Sequence, residues 1–86
     1  MKVKLYLTKK EALRIARQFD ENVDAIIIHS GARDEDIVAL YLKNITETNI
    51  DETHVIFRAK DNDRTAIIIK LEGLCSIKLL KDEATE

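Results

Sequence analysis

The hydrophobic period changes at Thr8, and this change constrains the fold more than any other feature of the sequence. In KVKLYLT, residues 2–8, apolar side chains alternate with Lys and Tyr, which is typical of a half-buried strand. In KKEALRIARQF, residues 9–19, the apolar residues recur at helical spacing and share one face. Thr8 followed by Glu11 has the pattern of a capping box. The sequence therefore predicts a strand that leads directly into an amphipathic helix opening at Lys9.

The remaining strands follow from short apolar runs between polar turns. DAIIIH, residues 24–29, predicts a core strand bounded by turn residues. THVIFRAK and RTAIIIKL, separated by DND, predict a hairpin, and LCSIKLL predicts a closing strand. Residues 82–86 are expected to form a disordered polar tail.

Residues 34–45 are compatible with either a helix or a strand. As a helix, the segment gathers Ile37, Val38, Tyr41, Leu42 and Ile45 into one stripe, with three acidic residues at its positive N-terminal end. As a strand, it places apolar residues on both faces, and the β-branched Ile37 and Val38 favour this alternative. We favour the helix because of the charge placement.

With that helix, the element order becomes β-α-β-α-β-β-β. Such an order predicts a small single α+β domain over residues 1–86, in which helices cover one face of a mixed or antiparallel sheet. A chain of 86 residues builds only a modest core and gains stability from a partner subunit. We therefore expect a homo-oligomer, most simply a dimer.

Composition limits the classes of function. The longest apolar runs are far shorter than the ~20 residues of a membrane-spanning helix, and the single cysteine excludes a disulfide framework. We therefore expect a cytoplasmic protein in a reducing compartment. Residues 1–17 hold six basic residues and one acidic residue, whereas the remainder holds eight basic and fifteen acidic residues. This polarity suits a phosphate-rich ligand at one end, or subunits that pack basic region against acidic region.

His29 is the first candidate for a functional residue. It ends the predicted core strand immediately before the favoured helix, where free backbone amides and the helix dipole would receive a phosphate. Ser30 and Arg33 lie beside it in sequence, so we predict a ligand-binding site formed by His29, Ser30 and Arg33. If the protein is catalytic at all, His29 is the residue expected to act as general acid or base.

The basic face of the first helix is the second candidate. Arg14 and Arg17 lie on this face and are predicted to supply positive charge to the ligand. Only four aromatic residues are present, which argues against a stacking platform for single strands, and the acidic remainder argues against sequence-specific DNA binding. Two histidines without a local pair spacing do not predict a metal site, and no cofactor is expected.

Three segments resemble the type III anti-CRISPR ring nucleases of small archaeal viruses and phages. KLYLT at residues 4–8 is similar to the opening strand of that family, and AIIIHSGA at residues 25–32 is similar to its histidine segment. DNDRTAIIIKLEG at residues 61–73 is similar to its turn-and-strand segment, with Asp63 at the place of the acidic residue. Together the three segments cover about half of the chain.

The resemblance implies a dimer with a shared pocket for a cyclic oligoadenylate, and it implies that His29 is the catalytic or ligand-contacting histidine. The sequence also departs from the family. GLCSIKLL stands where the family has an RLPEG segment, so the arginine and glutamate that assist cleavage have no counterpart. This departure favours binding or sequestration of the nucleotide over its cleavage.

The sequence thus predicts a small accessory protein of virus or mobile-element type. We expect it to act as a homo-oligomer that binds a phosphate-bearing nucleotide, such as a cyclic one, without turnover. One alternative is an inhibitor or regulator that binds a host protein through a sheet edge or an acidic surface, without a small-molecule pocket. A second alternative is a weak, metal-independent ring nuclease that uses His29.

Overall fold

The computed structural model describes residues 2–59 and 62–80. Within them the chain forms one α-helix, seven β-strands and two short 3₁₀ turns. The elements are β1 (Lys2–Thr8), α1 (Lys9–Gln18), β2 (Val23–Ile27), β3 (Ile37–Leu42), β4 (Ile45–Ile50), β5 (His54–Ala59), β6 (Asn62–Lys70) and β7 (Leu74–Leu80). The fold is therefore α+β and mostly sheet. Residues 82–86, for which a tail was predicted, lie outside the described residues.

The first strand and helix form where the sequence predicts them. Thr8 caps α1, since its Oγ1 accepts a hydrogen bond from the Glu11 amide at 3.3 Å. The Glu11 side chain does not complete a capping box but pairs with Arg14 instead. Ala12 and Ile15 are fully buried on the apolar face of the helix.

The prediction of a helix over residues 34–45 is wrong. Ile37–Leu42 form β3, which pairs antiparallel with β1 on one side and with β2 on the other. Val38, Leu40 and Leu42 point into the core. Buried and less buried side chains therefore alternate along the segment, as in a strand, and the apolar stripe of the predicted helix does not form. β3 thus takes the place of the predicted second helix, and β4 is an additional strand that the sequence analysis did not predict.

The strands form two antiparallel sheets rather than one. The four-stranded sheet has the order β2-β3-β1-β7, and the three-stranded sheet has the order β4-β5-β6. The predicted hairpin is confirmed as β5 and β6, and the predicted closing strand is confirmed as β7. The predicted core strand at residues 24–29 is β2 (Val23–Ile27), which lies at the edge of its sheet and leaves Ile27 57% exposed.

A single apolar core lies between the two sheets and the helix. It combines one face of the four-stranded sheet, the apolar face of α1 and the inner face of the three-stranded sheet, where Phe57 is fully buried. All fully buried side chains among the described residues are apolar. One face of the four-stranded sheet is consequently packed, and its other face points away from the core.

Candidate functional site

The predicted site around His29 lies in the loop between β2 and β3, not at a helix start. The His29 side chain is 61% exposed, and its Nε2 lies 3.9 Å from the Asp36 carboxylate. Arg33 lies within 3.4 Å of Glu35 and 3.8 Å of Asp36. Neighbouring carboxylates therefore offset the charge of Arg33, and the loop's own side chains are acidic where a phosphate site would need positive charge.

Three backbone amides of this loop are also engaged. The Ala32 amide donates to the His29 carbonyl, the Arg33 amide to Asp36 Oδ2, and the Asp36 amide to the Arg33 carbonyl. Because no helix begins after His29, the aligned amides that a helix N-terminus presents to an anion are not formed there. The assignment of His29, Ser30 and Arg33 as ligand contacts stays a prediction, but the helix on which it was based does not exist.

The loop instead caps the first helix. The Lys9 and Lys10 amides at the start of α1 donate to the carbonyls of Asp36 and Asp34, at 2.8 and 3.1 Å. The Lys9 ammonium donates to the Ala32 carbonyl at 2.9 Å. Donors that a helix N-terminus usually leaves unsatisfied are thereby satisfied by the chain itself.

Arg14 and Arg17 differ in their surroundings. The Arg14 guanidinium donates to the Glu11 carboxylate, to Gln18 and to the Ile68 carbonyl, so it holds α1 against β6. Arg14 in turn holds the pKa of Glu11 below its ordinary value. Arg17 is exposed and forms no hydrogen bond or ion pair among the residues described. No hydrogen bond or ion pair joins either arginine to His29, Ser30 or Arg33 among the described residues, although both arginines line a cavity with Asp34 of the same loop. That the five residues form one ligand site stays a prediction.

The structure brings together a different group of residues on the outer face of the four-stranded sheet. We call this surface the tyrosine face and define it by the strand register as Lys2, Lys4, Tyr6, Ala25, Ile27, Ile37, Ala39, Tyr41, Ser76 and Lys78. Lys4 pairs directly with Tyr41 across β1 and β3, and Tyr6 lies diagonally from Tyr41. Both tyrosines of the chain therefore lie side by side on this face.

Lys4 lies between the two aromatic rings. Its ammonium is 4.8 Å from the centroid of the Tyr6 ring and 5.3 Å from that of Tyr41, within the range of cation–π attraction. Hydrogen bonding to Tyr6 and to Tyr41 raises the pKa of Lys4 above its ordinary value. The centre of the tyrosine face is consequently a fixed positive charge flanked by two rings.

The charge of the tyrosine face is one-sided. Lys4 lies directly opposite Lys78 across β1 and β7, and like charges at such a position are destabilising. No Asp or Glu occupies a position of this face among the described residues. Asp24, in the bulge of β2, approaches it and lies 3.6 Å from the Lys2 ammonium. An anionic partner would relieve this repulsion.

The sequence analysis did not predict the tyrosine face because its residues come from separate parts of the chain. The alternation of KVKLYLT places Lys4 and Tyr6 on the polar side of β1. Tyr41 was assigned to the apolar stripe of a helix, which removed it from any sheet. Interpreting residues 37–42 as a strand would have placed Tyr41 and Ala39 on the face opposite the core. This alternation was the sequence signal from which the tyrosine face could have been predicted.

Among the described residues, no three His, Cys, Asp or Glu side chains lie close enough together to hold a metal ion. None of the described helices is long and apolar enough to cross a membrane. Comparison of the chain with models of protein families, with curated proteins and with solved structures gives no match. The resemblance to ring nucleases is therefore neither supported nor contradicted.

Proposed function

We propose that this protein binds single-stranded nucleic acid on the tyrosine face and does not transform it chemically. The observation on which the proposal rests is the placement of Tyr6 and Tyr41 on either side of the Lys4 ammonium. Aromatic rings on an open sheet stack with successive bases, and lysines beside them contact the phosphates. The ligand class differs from the sequence prediction, which was a small phosphate-bearing nucleotide near His29 and which argued from the scarcity of aromatic residues against a platform for single strands. Two of the four aromatic residues nevertheless lie together on one exposed sheet face, and this pairing supports the proposal.

Charge favours a polyanion over a second copy of this chain. Face-to-face packing of two copies would bring Lys2, Lys4 and Lys78 of one copy toward the same residues of the other. A nucleic acid strand offers phosphates to all three lysines and bases to the rings. The same surface therefore attracts a polyanion and disfavours stacking on itself.

Intrinsic tyrosine fluorescence gives a direct test. The chain has two tyrosines and no tryptophan, so every change in its emission above 300 nm reports on the tyrosine face. We expect oligo(U) and oligo(dT) of about 12 nucleotides to quench this emission, with an affinity that falls steeply with salt. Three lysines in contact with phosphates predict a slope of log K against log salt of about −2.

Matched variants separate stacking from general charge. Replacing Tyr41 with leucine should weaken binding about tenfold, whereas Tyr41→Phe keeps the ring and should bind nearly as well as the wild type. Arg17→Gln removes one positive charge from a helix on the opposite side of the sheet and should change affinity less than twofold. Equal affinity of Y41F and Y41L, or equal losses in K4Q and R17Q, would contradict the proposal.

A protein partner is the second candidate, and two exposed side chains favour it. Ile27 and Ile37 are 57% and 44% exposed on the same face, and such residues also occur in protein interfaces. An acidic protein segment would satisfy the lysines as a nucleic acid does. Binding of poly-glutamate in place of the oligonucleotides, with equal loss in Y41L and Y41F, would favour this candidate.

A further inference from the structure

A cleft lies between α1 and the three-stranded sheet, away from the tyrosine face. Its cavity volume is about 690 Å³, within the range of pockets that hold small molecules. Lys10 and Arg14 line it from the helix, and His54, Ile68, Lys70 and Glu72 line it from the other side. We call this cavity the helix cleft.

Two ammonium groups of the helix cleft have no partner among the described residues. Lys10 lies on the helical wall and Lys70 on the sheet wall, and the side chain of neither forms a hydrogen bond or ion pair within the described part of the chain. Both are near enough to the Glu11 carboxylate to help lower its pKa. They therefore approach the same region from opposite sides, while Arg14 pairs directly with that carboxylate at 2.9 Å.

Arg14 forms a fixed wall of the helix cleft rather than a contact for the ligand. Four N–H bonds of its guanidinium are used, by Glu11 twice, by Gln18 and by the Ile68 carbonyl. The cleft is thus held open by bonds that a ligand need not break. Preorganisation of this kind reduces the ordering cost of binding.

The remaining lining residues indicate which chemical groups a ligand could carry besides a phosphate. His54 lies directly opposite Lys70 in the strand register, and its Nδ1 lies 2.6 Å from Thr53 Oγ1, which leaves Nε2 for an outside partner. Ile68 offers an apolar surface that is 47% exposed. Glu72 is an exposed carboxylate that accepts hydroxyl donors and disfavours a second anionic group nearby.

We propose that the helix cleft binds a small phosphate monoester that carries a hydroxyl-bearing organic part, such as a sugar phosphate or a nucleoside monophosphate. Lys10 and Lys70 hold the phosphate from the two walls, Ile68 contacts the organic part, and Glu72 accepts its hydroxyl. The site is independent of the tyrosine face in both position and residues. It does not depend on binding of nucleic acid there.

The probes are inorganic phosphate, ribose 5-phosphate and AMP, titrated by calorimetry and by amide chemical shifts. We expect AMP and ribose 5-phosphate to bind more tightly than phosphate, with shifts centred on residues 8–14 and 68–72. K10Q/K70Q should weaken binding at least tenfold, and R17Q, which removes charge from the same helix outside the helix cleft, less than twofold.

Three results would overturn the proposal. The first is no binding of any probe at millimolar concentration to folded protein, and the second is an equal loss of affinity in R17Q and in K10Q/K70Q. The third is chemical-shift changes centred on Tyr6 and Tyr41. The last result would place phosphate on the tyrosine face and would leave the proposal for that face standing. Y41L supplies the reciprocal control, because it should weaken oligonucleotide binding and leave AMP binding unchanged.

Discussion

The guanidinium of Arg14 donates to the backbone carbonyl of Ile68 at 3.1 Å, although 54 positions separate the two residues. β6 is an edge of the three-stranded sheet, and an edge strand leaves carbonyl groups unpaired. This contact satisfies one of them and attaches α1 to the second sheet. Arg14, predicted as a ligand contact, thus has a structural role in the fold.

Replacing Arg14 with alanine should lower the free energy of unfolding by about 1 kcal/mol. The value stays low because the side chain is 38% exposed, so solvent weakens its ion pair with Glu11. Arg17→Ala is the matched control on the same helix and should change the free energy by less than about 0.5 kcal/mol. Urea denaturation measures both, and equal effects would show that the contact with Ile68 contributes nothing.

Asn44 forms the corner at which the chain leaves the four-stranded sheet and enters the three-stranded sheet. It lies between β3 and β4 with a φ of 60°, in the left-handed region that glycine and asparagine tolerate best. Asn44→Ala should therefore cost about 1 kcal/mol of stability, and Asn44→Gly should cost little. Thermal unfolding of the two variants checks this, and a glycine variant as unstable as the alanine variant would refute it.

Sequence reasoning succeeded where one local signal dominates. The alternation over residues 2–8, the cap at Thr8 and the apolar runs of β5 and β6 each predict their element without help from distant residues. It failed at residues 34–45, where the choice depends on neighbours. β1 and β2 flank β3 on both sides, and this pairing outweighs the favourable placement of Asp34, Glu35 and Asp36 at a helix start.

The candidate site was lost through the same error. A helix at residues 34–45 would supply free amides beside His29, whereas the strand places Tyr41 next to Lys4. The wrong assignment of residues 34–45 as a helix therefore led both to the predicted anion site and to the failure to predict the tyrosine face. Contacts such as Lys4 with Lys78 depend on the order β3-β1-β7, and no local pattern specifies that order.

Asp51 makes the free energy of unfolding depend on pH in the acidic range. Its Oδ1 accepts hydrogen bonds from the amides of Thr53 and His54 at 2.8 and 2.7 Å, and these bonds lower the pKa of the carboxyl. A lowered pKa in the folded state adds stability above the unfolded value of about 3.9, and that stability is lost as the pH falls through the folded value. Asp51→Asn should therefore lower the melting temperature at pH 7, and this difference should shrink as the pH falls toward 2.

Glu52→Gln is the control for this prediction. Glu52 is an exposed neighbour that forms no hydrogen bond or ion pair among the described residues, so its replacement should leave both melting temperatures nearly unchanged. The decisive quantity is the difference between the wild type and D51N at each pH. A difference that stays as large at pH 2 as at pH 7 would assign the effect to packing rather than to the charge of Asp51.

Self-association is expected from the small core and from the opposed charges of the two parts of the chain. Packing of a basic region against an acidic region is screened by salt, because the Debye length falls from about 10 Å at 0.1 M to about 3 Å at 1 M. Light scattering should therefore give a dimer mass in dilute buffer and a lower mass in 1 M salt. A monomer mass at every protein concentration in dilute buffer would contradict the prediction.

Thr48 carries a hydroxyl group that has no hydrogen-bond partner among the described residues. Its Oγ1 is buried on β4, opposite Phe57 in the strand register. A buried polar group without a partner costs about 1–3 kcal/mol, and valine has the same branched shape without the hydroxyl. Thr48→Val should therefore raise the free energy of unfolding by about 1 kcal/mol, as measured in urea.

Thr46 provides the comparison on the same strand. Its exposed Oγ1 donates to the Arg58 carbonyl at 3.3 Å, so Thr46→Val removes a hydrogen bond instead of an unsatisfied group. This variant should be neutral or slightly less stable than the wild type. If both valine variants gain stability equally, the gain comes from the higher strand propensity of valine, and the unsatisfied hydroxyl of Thr48 is not its cause.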